Sequence, residues 1–444
     1  MHLSSFNISD LLLSLWRGTL DHDQDDPPSE WPWAVLVGDT WTSHGQLVAS
    51  ATPYLPGHFD RPPRNIADKI NSGYKAWEYL LYLYGLAPAL LYGILPDPFY
   101  SHFCGLVRAM RIVLQHHIKR DDILTAHTLL ISFAQNFELL YYQRRTDRLH
   151  FVRQSIHALL HLAPEVFRIG PPICSSQWTM ERTIGNLGQE IKQPSNPFAN
   201  LSQRGLLRCQ VNALTAMLPE PLAGTTCSVS DRGWQLPRGG IDIGNGYALL
   251  RAQDHRLRPM LKAEAAALTA YFNRHHVNVS IPAPDWCPSV ARWARLRLPN
   301  GQIARSKWKE CLKPLDKIRI ARNVKVSLSD SFQIRFGEVQ YYFRCKIQET
   351  TFTLVMISMY SEPNPLLFKQ SAGTVLACKY TEDSESTLIV IDFISILSVV
   401  GMVPHSFSCL DPKDDWRFVV EKPGLDIARL GGIYDNEEGG DLDM

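Results

Sequence analysis

Three groups of residues in this 444-residue chain have types and spacings that chemistry can use. Glu181, within residues 174–204 (CSSQWTMERTIGNLGQEIKQPSNPFANLSQR), shares a helical stripe with Gly185 and Gly188, while Ile184, Leu187 and Ile191 form an apolar one. A carboxylate so placed is either a buried catalytic acid or a charge favoured at a helix N-terminus capped by Ser176 or Thr179; the residues alone favour the helix-end reading. His157 and His161 are four apart in SIHALLHLAPEV, so both project from one helical face at metal-ligand spacing. No Glu follows His157, which excludes the HExxH zinc-protease pattern, and Ala158, Leu159 and Leu160 favour an interior pair over a metal site. The third group is basic. Residues 286–325 hold eleven Lys and Arg (Arg292, Arg295, Arg297, Arg305, Lys307, Lys309, Lys313, Lys317, Arg319, Arg322, Lys325) against Glu310 and Asp316, with Trp286, Trp293 and Trp308 interleaved. Phosphate tracking with stacking rings is one use of such a stretch; a solvated basic hairpin face is the other.

The elements that must position these residues are legible in outline. Residues 3–17 read as an amphipathic helix, and helical periodicity recurs at 66–86, 99–118, 121–143 and 151–168. Between them, DHDQDDPPSE (21–30) lacks calcium-loop spacing and contains two prolines, so it reads as a solvated connector. Residues 79–96 are apolar enough to span a bilayer but carry four Tyr, two Gly and Pro88, which predicts a buried helix, a turn and a second helix instead. Arg144, Arg145, Arg148 and Arg153 would lie beside Glu181 if their helices pack together. Pro194 and Pro197 end the helix of Glu181.

After about residue 205 the pattern changes. Residues 219–246 are loop-like, and a short helix is expected at 260–273. Pro299-Asn300-Gly301 between alternating runs predicts a hairpin, with further strands at 318–328, 331–346, 351–360, 374–380 and 387–393. The expected fold class is α+β: an α-rich unit at 1–205, a linker with short helices at 206–285, a β-rich basic barrel or sandwich at 286–412, and a tail at 413–444 that ends acidic and disordered.

Several function classes are disfavoured. Lys and Arg (45) nearly balance Asp and Glu (44), so attraction to nucleic acid or membrane must be local. Nine single cysteines without a CxxC pair fit a reduced, intracellular setting. The N-terminus has neither a basic start nor a small-residue cleavage site, so no secretory signal is expected. No GxxxxGK[ST] loop, GxGxxG turn or GxSxG elbow occurs. His116-His117 and His275-His276 diverge on any regular element and read as surface pairs.

Residues 59–204 resemble the later part of fungal CACTA (En/Spm-like, Plavaka-type) transposases. The similarity rests on YYQRR (141–145), FVRQSIHALLHLAPEVFRIGPP (151–172) and SSQWTMERTIGNLGQEIKQPSNPFANL (175–201), in the family's order. It implies an RNase H-like core in which three carboxylates hold two Mg²⁺ or Mn²⁺ ions, with Glu181 as the third acid and His157 and His161 as a pair that structures the site or helps bind Zn²⁺. The family places its second catalytic Asp directly before a Met-His pair, whereas this sequence opens on Met1-His2-Leu3, and no upstream Asp stands in the family's context. The resulting expectation is a truncated, transposable-element-derived nuclear protein, catalytically inactive and without a cofactor. It retains DNA binding through Arg292, Arg295, Arg297, Arg305, Lys307, Lys309, Lys313, Arg319 and Arg322, and no membrane partner is implied. An active transposase, should upstream exons exist, and a chromatin protein-interaction module are the alternatives.

Overall fold

The computed structural model describes residues 2–59, 61–175, 177, 180, 184–185, 187–188, 191, 195–217, 236–237, 239–275, 286–328, 333–347, 350–381, 387–422 and 424. It is an α+β protein: a helical N-terminal half precedes antiparallel sheets. Helix α1 (Ile8–Trp16) follows a π turn at Leu3–Asn7. It is amphipathic as expected, with a narrow outward stripe of Asn7, Asp10, Ser14 and Arg17, while Ile8, Ser9, Leu11, Leu12, Leu13, Leu15 and Trp16 are buried. Tyr84 Oη donates to Ser4 O at 2.8 Å and Trp16 Nε1 to Tyr141 Oη at 3.1 Å, tying α1 to its neighbours.

Around α1 lie α2 (Gly38–Ser50), α3 (Ile66–Lys69), α4 (Ala76–Leu81), α5 (Ala87–Leu90), α6 (Asp97–Val113) and α7 (Arg120–Phe137). The expected helix at 66–86 is thus divided, and Gly73, at φ +73°, sits in the break. Residues 79–91 are buried, and among the described residues no helix is long and apolar enough to cross a membrane. The expected helix at 151–168 is also two, α8 (Gln154–Leu159) and α9 (Leu162–Ile169), followed by α10 (Pro172–Ser175) and the long α11 (Pro197–Met217).

The β region begins earlier and ends later than the sequence suggested. β1 (Ile241–Gly244), β2 (Tyr247–Gln253), β3 (Arg258–Pro259) and α12 (Lys262–Arg274) fall within the expected linker. There follow β4 (Ser289–Val290), β5 (Arg292–Arg297), β6 (Ile303–Arg305), α13 (Lys307–Glu310), β7 (Asn323–Leu328), β8 (Gln333–Ile347), β9 (Thr350–Met359), α14 (Pro365–Gln370), β10 (Ala377–Tyr380) and β11 (Leu388–Asp392). Three further strands were not expected from the sequence: β12 (Ile396–Val399), β13 (Gly401–Pro404) and β14 (Asp415–Val420), the last inside the expected tail. Residues 425–444, read as a disordered end, lie outside the described residues.

The main sheet runs β1-β2-β5-β8-β7-β12, with β6 on β5 and with β9 joining β8 to β11. β8 is its spine: β7 and β5 share one edge, and β9 covers the other from Gly337 to Ile347. The predicted hairpin forms as β5–β6, with Gly301 at φ +87° in its turn. One sheet face buries Leu249, Leu296, Ala304, Val324, Tyr342 and Ile357; the other packs on Leu268, Tyr271 and Phe272 of α12. This alternation is what buries both faces of an antiparallel sheet.

A second sheet, β10-β14-β13, packs into the helical half. Leu367, Val375, Ala377, Val403, Phe407, Phe418 and Val420 belong to the same buried cluster as Trp16, Phe103 and Tyr141. Polar bonds cross the same seam. Arg111 donates to Tyr84 O and to Thr374 O, each at 2.7 Å, and Ile320 N donates to Pro53 O at 2.7 Å.

Candidate nucleic-acid interface and histidine pair

The basic stretch is sorted by strand alternation. On β5, Arg295 and Arg297 point away from the face that buries Leu296, and Arg305 of β6 lies directly opposite Arg295. These three guanidinium groups share one half-buried face. Directly opposed like charges are unfavourable in a sheet, and the charge of Arg305 also acts on the carboxyl of Glu310, which it helps to hold down.

Most of the expected contacts are engaged within the chain. Arg292 Nε donates to Asp254 at 2.8 Å, and its guanidinium stacks 4.5 Å from the Trp308 ring. Arg322 pairs with Glu338 at 2.6 Å and with Glu310 at 3.5 Å, and Lys307 lies 3.5 Å from Glu338. Arg319 donates to Leu55 O at 2.8 Å and Gly57 O at 3.3 Å, where it fastens the seam. Lys325 pairs with Glu421 at 2.9 Å. Lys309 and Lys313 are exposed, with Lys309 4.6 Å above the Trp308 ring. The interleaved tryptophans do not form a stacking platform: Trp293 is a core residue beside Leu296 and Leu298, and Trp308 is half-buried. The local field is weaker than the charge count implied, because Asp254, Glu338 and Glu421 arrive from outside the stretch.

Glu338 and Glu310 are both buried, and their environments differ. Burial raises Glu338, but the charge and hydrogen bond of Arg322, with Lys307 and Tyr380, more than offset it and leave the carboxyl below its ordinary range. Burial raises Glu310, and the Ala321 N–H and Arg322 only partly oppose that rise. The pair anchors α13 to β8.

In the helical half three of the four arginines expected near Glu181 pair with other acids, and Arg144 is exposed. Arg148 binds Asp26 through two parallel hydrogen bonds, one of 2.6 Å from Nε, while its guanidinium lies 5.1 Å from the Trp33 ring. Arg145 pairs with Asp147 and lies 3.2 Å from Asp26, and Arg153 binds Asp10 at 2.7 Å. The acidic connector is therefore not wholly solvated: Asp26 is buried, and chiefly the Arg148 hydrogen bond holds its carboxyl below the ordinary range. No local pattern in the sequence signals a pair 122 residues apart. Glu181 itself lies outside the described residues, as does His276, whereas His116 is half-buried and His117 and His275 are exposed.

His157 and His161 are exposed, not interior. The helix breaks at Leu160, so His157 lies in the last turn of α8 while His161 precedes α9, and the buried positions of α8 go to Ser155, Ile156 and Leu159. Their Nε2 atoms converge to 3.1 Å. Two imidazoles sharing a tetrahedral Zn²⁺ at about 2.0–2.1 Å bring their nitrogens to roughly 3.3 Å, so the pair fits two positions of such an ion. Among the described residues no group of three His, Cys, Asp or Glu converges, so neither a closed zinc site nor a three-acid Mg²⁺ or Mn²⁺ site is assembled from them.

Comparison with known proteins finds no matching family model, no similar curated protein and no similar solved structure.

Proposed function

We propose that this chain is a nuclear, transposase-derived protein that binds DNA through the arginine face of β5 and β6 and does not itself cut it. The descent rests on the motifs of residues 141–201; the binding rests on one observation, that Arg295 stands directly opposite Arg305 with Arg297 two residues on along β5. Four acids of the helical half, Asp10, Asp26, Glu78 and Asp147, each neutralise an arginine, which supports a structural role for these four. Chemistry with Mg²⁺ or Mn²⁺ would require Glu181 and two further carboxylates. The test is fluorescence anisotropy with duplex DNA over a range of salt. Arg295→Glu with Arg297→Glu is expected to weaken binding at least about tenfold and to flatten the salt slope by about two. Unchanged binding eliminates this face, and metal-dependent nicking lost in Glu181→Gln establishes an active transposase instead. A protein-interaction role is the second reading, favoured by the internal pairing of Arg292, Lys307 and Arg322; it predicts partners whose capture survives nuclease treatment.

A further inference from the structure

Two Asn-Gly pairs occur in the sequence, Asn245-Gly246 between β1 and β2 and Asn300-Gly301 between β5 and β6. The fold treats them differently. Asn300 is tied at both side-chain atoms: Oδ1 accepts from Gln302 N at 3.0 Å, and Nδ2 donates to Gln302 Oε1 and to Leu397 O, each at 3.2 Å. Gln302 is itself buried, and the Gly301 amide donates to Leu298 O at 2.9 Å. Asn245 and Gly246 are exposed, and among the described residues neither the Asn245 side chain nor the Gly246 N–H makes a hydrogen bond. Their φ angles of +54° and +80° are the positive pair that a two-residue type I′ turn requires, and Gly244 pairs with Tyr247 across it. β1 is the terminal strand of the main sheet, so opening this turn disturbs a single ladder.

We propose that Asn245 is a site of spontaneous deamidation and isoaspartate formation, and that the fold protects Asn300 from the same reaction. The Gly246 nitrogen attacks Asn245 Cγ. The N–Cγ bond forms, the Cγ–Nδ2 bond breaks, and the Gly246 amide proton passes to Nδ2, which departs as ammonia and leaves a cyclic imide. Water then opens the ring. Addition at Cγ breaks the new bond and gives aspartate; addition at the main-chain carbonyl breaks the original peptide bond and gives isoaspartate. Glycine favours the attack because no Cβ hinders its nitrogen or the rotation that brings it to Cγ. At Asn300 the same attack must first break the hydrogen bonds of the side chain and of the Gly301 amide. Isoaspartate adds a methylene to the main chain of a two-residue turn and so shifts β1 against β2. Its free α-carboxylate is the group that a carboxyl methyltransferase using S-adenosylmethionine would take as substrate.

Ageing the full chain in warm, mildly alkaline buffer and mapping its peptides by mass tests this, with chain unfolded in guanidinium as the reference. Native chain is expected to convert Asn245 at least about tenfold faster than Asn300. In unfolded chain, where neither pair is held, the two are expected to convert at similar rates. Aged native chain is also expected to accept labelled methyl groups from S-adenosylmethionine when an isoaspartyl carboxyl methyltransferase is added. Asn245→Gly, which keeps the positive φ of the turn, is expected to lose most of that acceptance. Equal conversion of the two pairs in native chain overturns the proposal. So does an Asn245 that stays intact in native chain while it converts in unfolded chain, or methyl acceptance that Asn245→Gly leaves unchanged.

Discussion

Arg148 and Asp26 illustrate how far one residue pair governs this helical half. Both are buried, and the guanidinium is sandwiched against Trp31, Trp33 and Phe151. Asp26→Ala leaves a buried cation without its counter-ion, and an unfolding free energy lowered by about 3–5 kcal/mol in denaturant titration is the expected result. The pH dependence has a definite sign. Burial is the main cause that pushes His44 and His102 down to about 4, so both are neutral in the fold. The unfolded imidazoles titrate near roughly 6.5, so stability is full above that pH and declines as pH falls toward 4, by up to about 3 kcal/mol per histidine. Asp26, lowered in the fold, adds a further loss as pH drops below about 4. His102→Gln, which keeps a donor for Phe133 O, is expected to remove one histidine's share of the slope between pH 6.5 and 4 in pH-dependent unfolding measurements. The exposed His157–His161 pair belongs to the same scale. Untagged chain is expected to be retained on immobilised Cu²⁺ or Ni²⁺, and His161→Asn to elute early; equal retention of the two refutes chelation by the pair.

Elements here are held in register by close approach. A Cβ on Gly45 of α2 would come within 2.1 Å of Asn65 Oδ1 and 2.6 Å of Ala67 Cβ, so Gly45 lets α2 pack on the capped start of α3. Gly45→Ala must displace the Asn65 cap as well as the backbone, and a loss of about 2–4 kcal/mol in denaturant unfolding is expected. Gly401 has the same role across the seam, with Tyr54 O only 2.9 Å from where its Cβ would stand. Most of these elements were legible from periodicity. The hairpin at 299–301, the strands near 323–328, 333–347 and 350–359, and α12 all stand where apolar spacing and turn residues predict them. The misses have local causes. Helices at 66–90 and 154–169 are interrupted while apolar spacing continues through the break, and β12–β14 are four to six residues long, too short for alternation to show.

At the scale of the molecule, the two halves share one core. Phe418 and Val420 of β14 pack in the cluster that contains Phe103 and Tyr141, and Lys422 Nζ donates to His58 O at 2.5 Å. A chain ending at residue 412, the boundary that composition suggested, therefore loses β14 from the middle of the second sheet and uncovers helical core. It is expected to be insoluble or rapidly cleaved in limited proteolysis, while the full chain unfolds in a single transition by fluorescence and circular dichroism. A soluble, protease-resistant 1–412 chain would show that the halves fold separately.

Sequence alone determined the α+β class, the position of most helices and strands, and the presence of a histidine pair and a basic stretch. These are local properties, written in apolar period, turn residues and charge spacing. Only the tertiary structure decided which charges are engaged. Arg148 meets Asp26, Arg153 meets Asp10 and Arg292 meets Asp254 across 122, 143 and 38 residues, and no local pattern encodes such distances. It also turned the histidine pair outward, because the break at Leu160 gives the buried position to Leu159.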